Sequence, residues 1–89
     1  MQQMMKQAQE MQKQMERIKE DLAETLIEAS SGGGMVTVEM SGAYEFLNIK
    51  VNPAAVDPDD VEMLEDLVIA AVNEALNQVT KLREEKLPM

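Results

Sequence analysis

The chain of 89 residues contains no cysteine, no histidine and no tryptophan. Without cysteine there is no disulfide framework, no thiolate chemistry and no zinc ribbon. Without histidine the commonest general base and the commonest metal ligand are both missing. Tyr44 and Phe46 are the only rings. At this length a lone core is only marginally stabilising, so self-association is the most accessible source of further buried area. No apolar run approaches the roughly 18 residues of a membrane span, and the polar N-terminus is not a secretion signal. A soluble cytoplasmic protein with no membrane partner is the expectation. No nucleophile sits beside a base, and no phosphate loop is present, so an enzyme is not expected and neither a cofactor nor a metal is implied.

What is present begins with a seam. Met4, Ala8, Met11, Met15, Ile18 and Leu22 recur at alternating intervals of four and three, with Gln, Lys and Glu in the gaps. That spacing predicts a helix over about residues 2–23 with six apolar side chains on one narrow stripe, the coiled-coil pattern that asks for a partner. So narrow a stripe buries too little surface to hold a helix of this length alone in water. The seam must therefore lie on the rest of the chain, on a second copy, or on both. Methionine packs adaptably and specifies geometry poorly, so a recognition surface for another protein is also compatible with it.

The net charge of −9 argues against simple nonspecific attraction to nucleic acid. Its distribution alters that reading. Residues 1–19 carry Lys6, Lys13, Arg17 and Lys19 against only Glu10 and Glu16, whereas Asp57, Asp59, Asp60, Glu62, Glu65 and Asp66 lie together with no base among them. Near the C-terminus Lys81, Arg83 and Lys86 outnumber Glu84 and Glu85. The chain is acidic in its middle and mildly basic at both ends.

Between the charged ends the period changes to two. Thr25, Ile27 and Ala29 alternate with Leu26, Glu28 and Ser30; Val36, Val38 and Met40 alternate with Met35, Thr37 and Glu39; Leu47, Ile49 and Val51 alternate with Asn48 and Lys50. Three strands over about 24–51 are predicted, joined at Ser30–Gly34 and at Ser41-Gly42-Ala43 into an antiparallel meander. Tyr44 and Phe46 are expected on the face opposite the valines. With Leu26 and Met35 they would make that second face oily, as a subunit interface requires. Asp57-Pro58 reads as N-cap and first residue of a second helix over about 58–86, which explains the neighbouring carboxylates better than a calcium loop does. That helix is apolar over more than half its girth: Leu64, Leu67, Val68, Ala71, Ala75, Val79 and Leu82 form a stripe that Ile69, Val72 and Leu76 widen. A stripe this wide faces more than one neighbour. Tyr44, Phe46, Ile69, Val72 and Leu76 are thus the expected dimer interface.

The Met/Gln-rich opening Met4-Met5-Lys6-Gln7-Ala8-Gln9-Glu10-Met11-Gln12, the strand entry Gly34-Met35-Val36-Thr37-Val38, the Ser41-Gly42 turn, Asn52-Pro53 and the run from Met63 to Ala75 resemble, in that order, the YbaB/EbfC family of small bacterial nucleoid-associated proteins. The resemblance covers nearly the whole chain, and the run in the second helix is its most specific part. It implies a single α+β domain over residues 1–89, an α-β-β-β-α subunit whose three-stranded antiparallel sheet is flanked by two helices. It further implies a tweezer-shaped homodimer that binds double-stranded DNA with little sequence preference, located in the nucleoid. The family's genes tend to lie beside replication and recombination genes, so proteins of those processes are the partners it suggests. Many members carry a Gly-rich start and a flexible tail that this chain almost lacks; if those segments hold DNA, weaker binding is expected here.

No family motif assigns DNA contacts, so candidates rest on charge. Lys6, Lys13 and Arg17 follow at intervals of seven and four, on one face away from the seam; Lys81, Arg83 and Lys86 are secondary candidates. The mechanism would be phosphate neutralisation with no base-edge code. The alternative, from another class, is a dimeric adaptor or chaperone-like clamp that grips a protein through the Met-rich helix.

Overall fold

A computed structural model describes residues 1–87. The order is α1 (Gln2–Glu24), β1 (Leu26–Ser31), β2 (Val36–Ser41), β3 (Phe46–Val51), a short 3₁₀ turn at Pro53–Ala55, and α2 (Val61–Lys86). This is the α-β-β-β-α arrangement that the alternation of periods implies, with an antiparallel sheet in the order β1-β2-β3.

The sheet follows from its turns and its central strand. Gly32, Gly33 and Gly34 all take positive φ, at 60°, 68° and 96°, a run that side chains would resist at each step. The chain therefore reverses there and sets Ser31 opposite Val36. Val36, Val38 and Met40 on β2 are buried, and with Ala29 of β1 they pack against Ala71, Ala75 and Val79 of α2. Small residues on the helix let it approach the sheet closely. Ser31 also donates from Oγ to the Leu67 carbonyl at 2.6 Å, which ties the hairpin end of β1 to α2.

Three features depart from the reading of the sequence. First, β3 carries a bulge: Asn48 pairs with Glu39 but Phe46 pairs with Met40, so one residue of β3 goes unmatched. The extra residue reverses the alternation beyond it. Phe46 therefore belongs to the side of Met40, under α2, and not to the face opposite the valines. Tyr44 lies in the turn before β3 and is also turned to α2, where its hydroxyl shares a hydrogen bond of 2.7 Å with Thr80 Oγ1. Second, the far face of the sheet is consequently polar. Glu28, Ser30, Thr37, Glu39 and Lys50 occupy it, with an ion pair of 3.4 Å between Lys50 and Glu39, and Leu26 is its one large apolar side chain. The apolar surplus lies on the helix side of β3. Third, α2 begins at Val61 and is capped by Asp60, whose Oδ1 accepts from the Met63 amide at 3.2 Å. Asp57 instead accepts from the Asp59 amide at 3.0 Å. That local turn competes with the helix and delays its start past Pro58.

Helix α1 is an arm. Its sole substantial contact with another element is with the end of β2, and only Leu22 of its 23 residues is buried. At 1.5 Å per residue the two helices are about 34 Å and 39 Å long. The molecule extends 69 Å by only 18 and 16 Å, so the helices run nearly end to end.

Candidate nucleic-acid interface

The root of the arm is built from a turn that only glycine fits. A Cβ at Gly42 would lie 2.5 Å from the Leu22 carbonyl oxygen. The Gly42 amide donates to the Thr25 carbonyl at 3.0 Å, and the Thr25 hydroxyl closes the end of α1 by donating to the Asp21 carbonyl at 2.7 Å. Buried Ser41 accepts at Oγ from the Ala43 and Glu45 amides, at 3.2 and 3.3 Å. On the other side Arg83 Nη1 donates to the Gly42 carbonyl at 3.0 Å.

Beyond this root the arm stands in solvent. Met4, Met5 and Met11 are exposed, Met15 and Ile18 are half-buried, and Leu22 is buried. The seam thus gains cover only where it meets the turn, and its outer part is not satisfied by the chain's own body. The opposite side carries Lys6, Lys13 and Arg17, all exposed. They form a row about 16 Å long, the axial span of roughly five phosphates along one strand of a duplex. Among the described residues the one ion pair is Lys50 with Glu39, so none of the three row cations is bound in one. Glu10 lies on the same helix face within the row, and the further acids of that face, Glu20, Asp21 and Glu24, follow toward the root.

The secondary candidates do not form a row. Lys81 and Lys86 are exposed near the end of α2; Arg83 and Lys86, three residues apart, share a side of the helix, whereas Lys81, two residues before Arg83, lies on the other side. Arg83 is half-buried, and its guanidinium carbon lies 5.2 Å from the centre of the Tyr44 ring.

Net acidity does not cancel the arm. Gly42 sits at the C-terminal end of α2 through Arg83, whereas Asp57 to Asp66 lie at its N-terminal end. Along α2 that separation is about 25 to 35 Å, against a screening length of about 8 Å at physiological salt. The arm then extends away from the body. The acidic patch and the basic row act as separate fields.

Two of the dimer candidates, Phe46 and Val72, line one groove. Helix α2 covers β1 and β2 and leaves the helix side of β3 bare. Val38, Phe46, Leu47, Asn48, Ile49 and Val72 line the resulting cleft of about 490 Å³. Phe46, Leu47 and Ile69 remain 58%, 54% and 58% exposed, too much for settled core residues. Ile69, Val72 and Leu76, then Thr80 and Arg83, follow at intervals of three and four along the flank of α2 beside it. Leu47 and Ile49 are missing from the sequence-based interface, although their exposure could have been suspected from β3 being a sheet edge. Among the described residues there is no cluster of acidic side chains fit to hold a metal and no helix apolar enough to cross a membrane.

Comparison with known proteins identifies the family and the fold. The model of a family described as the YbaB/EbfC DNA-binding family matches residues 1–88. A nucleoid-associated protein of Moorella thermoacetica is 60% identical over 78 residues, covering 88% of this chain and 75% of that protein. One from Chloroflexus aurantiacus is 47% identical over 85 residues, covering 96% of this chain and 85% of its own length. The crystal structure of an uncharacterized protein from Helicobacter pylori superposes with a TM-score of 0.86 at 24% identity, covering 96% of this chain and 89% of that one; it supports the fold.

Proposed function

The chain belongs to the YbaB/EbfC DNA-binding family, a family of nucleoid-associated proteins and not of enzymes, and on that premise we propose that it is a nucleoid-located homodimer that grips double-stranded DNA with its α1 arms. The observation that carries this reading is a projecting helix with Lys6, Lys13 and Arg17 in one row, unpaired among the described residues and remote from the acidic end of α2. Lys81 and Lys86 add charge near the root. Arg83 stands beside them with its guanidinium engaged on Gly42 and Tyr44. Contacts of this kind neutralise phosphates and read no base edges, so sequence preference is low and affinity falls steeply with salt.

The second copy is called for by the groove. A bare strand face beside an exposed helix flank accepts one more helix, and the α2 of a twofold-related copy supplies it. Each α2 then lies against its own β1 and β2 and against the partner's β3, which covers Phe46, Ile69, Val72 and Leu76 of both chains at once. Such an interface is self-complementary, as a twofold axis requires. Replication or recombination proteins are further partners compatible with a nucleoid role.

The competing clamp reading has one observation in its favour, the exposure of Met4 and Met11 on the seam. Titration of unrelated duplexes at two salt concentrations, with a Lys6→Glu, Lys13→Glu variant alongside, separates the two. DNA binding lost in that variant supports the arm. Absence of binding by the unaltered chain at low salt favours the clamp.

A further inference from the structure

Three side chains that the DNA-binding reading does not use as contacts converge on the root of the arm. Tyr44 is the one non-glycine residue with positive φ among the described residues, at 63°. A side chain is disfavoured in that region unless its surroundings hold it there. Here Thr80 takes its hydroxyl at 2.7 Å and Arg83 lies over its ring at 5.2 Å. Arg83 in turn donates to the carbonyl of Gly42, whose amide holds Thr25 and whose α-carbon abuts the Leu22 carbonyl. A continuous path of contacts therefore runs from α2, through the turn, to the last turn of α1.

We propose that Tyr44, Thr80 and Arg83 form a latch that fixes the direction in which α1 leaves the body, and that Arg83 and Tyr44 are positioning residues for DNA binding. The inference rests on the reading of α1 as the DNA-gripping arm. Its physical basis is leverage. Among the described residues the arm meets the body chiefly at its root, so a rotation of the turn by a few degrees moves Lys6, about 24 Å from Leu22 along the helix axis, by an ångström or more. Two arms that must meet one duplex together bind best when their directions are set beforehand, because ordering them on binding lowers affinity. Arginine suits the latch better than lysine, since its planar fork can stack on a ring and donate to a carbonyl at once.

The test uses Tyr44→Phe and Arg83→Lys, neither of which changes the net charge. The chain has no native cysteine, so Gln9→Cys on the arm and Asn77→Cys on α2, both at exposed positions, take spin labels in chains diluted with unlabelled protein. The latch predicts a narrow Gln9–Asn77 distance distribution that broadens in each variant. It also predicts affinity about tenfold lower for every duplex, with the slope of log affinity against log salt unchanged. Wild-type distributions in both variants overturn the proposal. So does Arg83→Lys binding at the wild-type level, which would mark Arg83 as a plain cation that lysine replaces. The distance measurement needs no DNA. Failure of the unaltered chain to bind a duplex would therefore remove the arm's function while the distributions still decide the latch.

Discussion

An aspartate placed at Ile69 should separate the two copies while leaving each chain folded. In the single chain Ile69 is 58% exposed on the groove flank of α2, so the carboxylate stays hydrated and the helix loses only a few tenths of a kcal/mol in propensity. In the proposed dimer the same position is covered by the partner. An unpaired charge buried there costs about 3–5 kcal/mol, and the twofold axis makes it occur twice, for about 6–10 kcal/mol per dimer. At about 1.4 kcal/mol per factor of ten, the dissociation constant rises by roughly 10⁴ to 10⁷. Light scattering on the unaltered chain should report twice the 9.9 kDa chain mass at micromolar concentration. The Ile69→Asp chain should report the single mass with its helical circular dichroism largely retained. A variant that keeps the double mass places Ile69 outside the interface, and an unaltered chain of single mass refutes the homodimer itself.

Further outcomes follow from the same geometry. Gly42→Ala places a methyl group 2.5 Å from the Leu22 carbonyl, which forces the root of α1 to move. It should lower the melting temperature by several degrees, more than Gly33→Ala, whose new methyl meets nothing within 4 Å and whose effect comes from positive φ alone, about 1 kcal/mol. Replacing Gly32–Gly34 by another flexible hairpin connection of equal length should leave dimer mass and DNA affinity unchanged; lost binding with fold and mass intact would mean that the loop touches the ligand. The Lys6→Glu, Lys13→Glu chain should bind all duplexes more weakly while its melting temperature stays near that of the parent, because both side chains are exposed and in no ion pair. Wild-type affinity in that variant would remove α1 from the site.

The elements were legible in the sequence because their periods are clean. The four-and-three spacing of α1, the alternation of the strands and the wide stripe of α2 each admit one regular conformation. The order of elements follows from them and from the glycine-rich turns. What was not legible turns on single residues. One unmatched residue in β3 sends Phe46 to the helix side, and strict alternation carries no sign of it. Asp57, Asp59 and Asp60 are all able to cap a helix, and the choice of Asp60 is made by an Asx turn at Asp57. The seam of α1 shows that the helix needs a partner but does not say which, so a free-standing arm looks the same in sequence as a packed one. Arg83 reads as one more cation near a helix end, since nothing local reveals a tyrosine and a glycine carbonyl arriving from a turn some forty residues earlier. The basic row was found from spacing alone, and the structure adds its isolation from the acids of α2.

The central claim is that an acidic protein binds DNA through a row of cations on one face of its arm, and fluorescence anisotropy of two unrelated labelled duplexes at about 50 and 200 mM salt tests it most directly. If a dimer neutralises roughly four to eight phosphates, both duplexes should be bound with similar affinity, falling by about 10² to 10⁴ between the two conditions. No binding at the lower salt, or binding that salt leaves unchanged, would contradict the account.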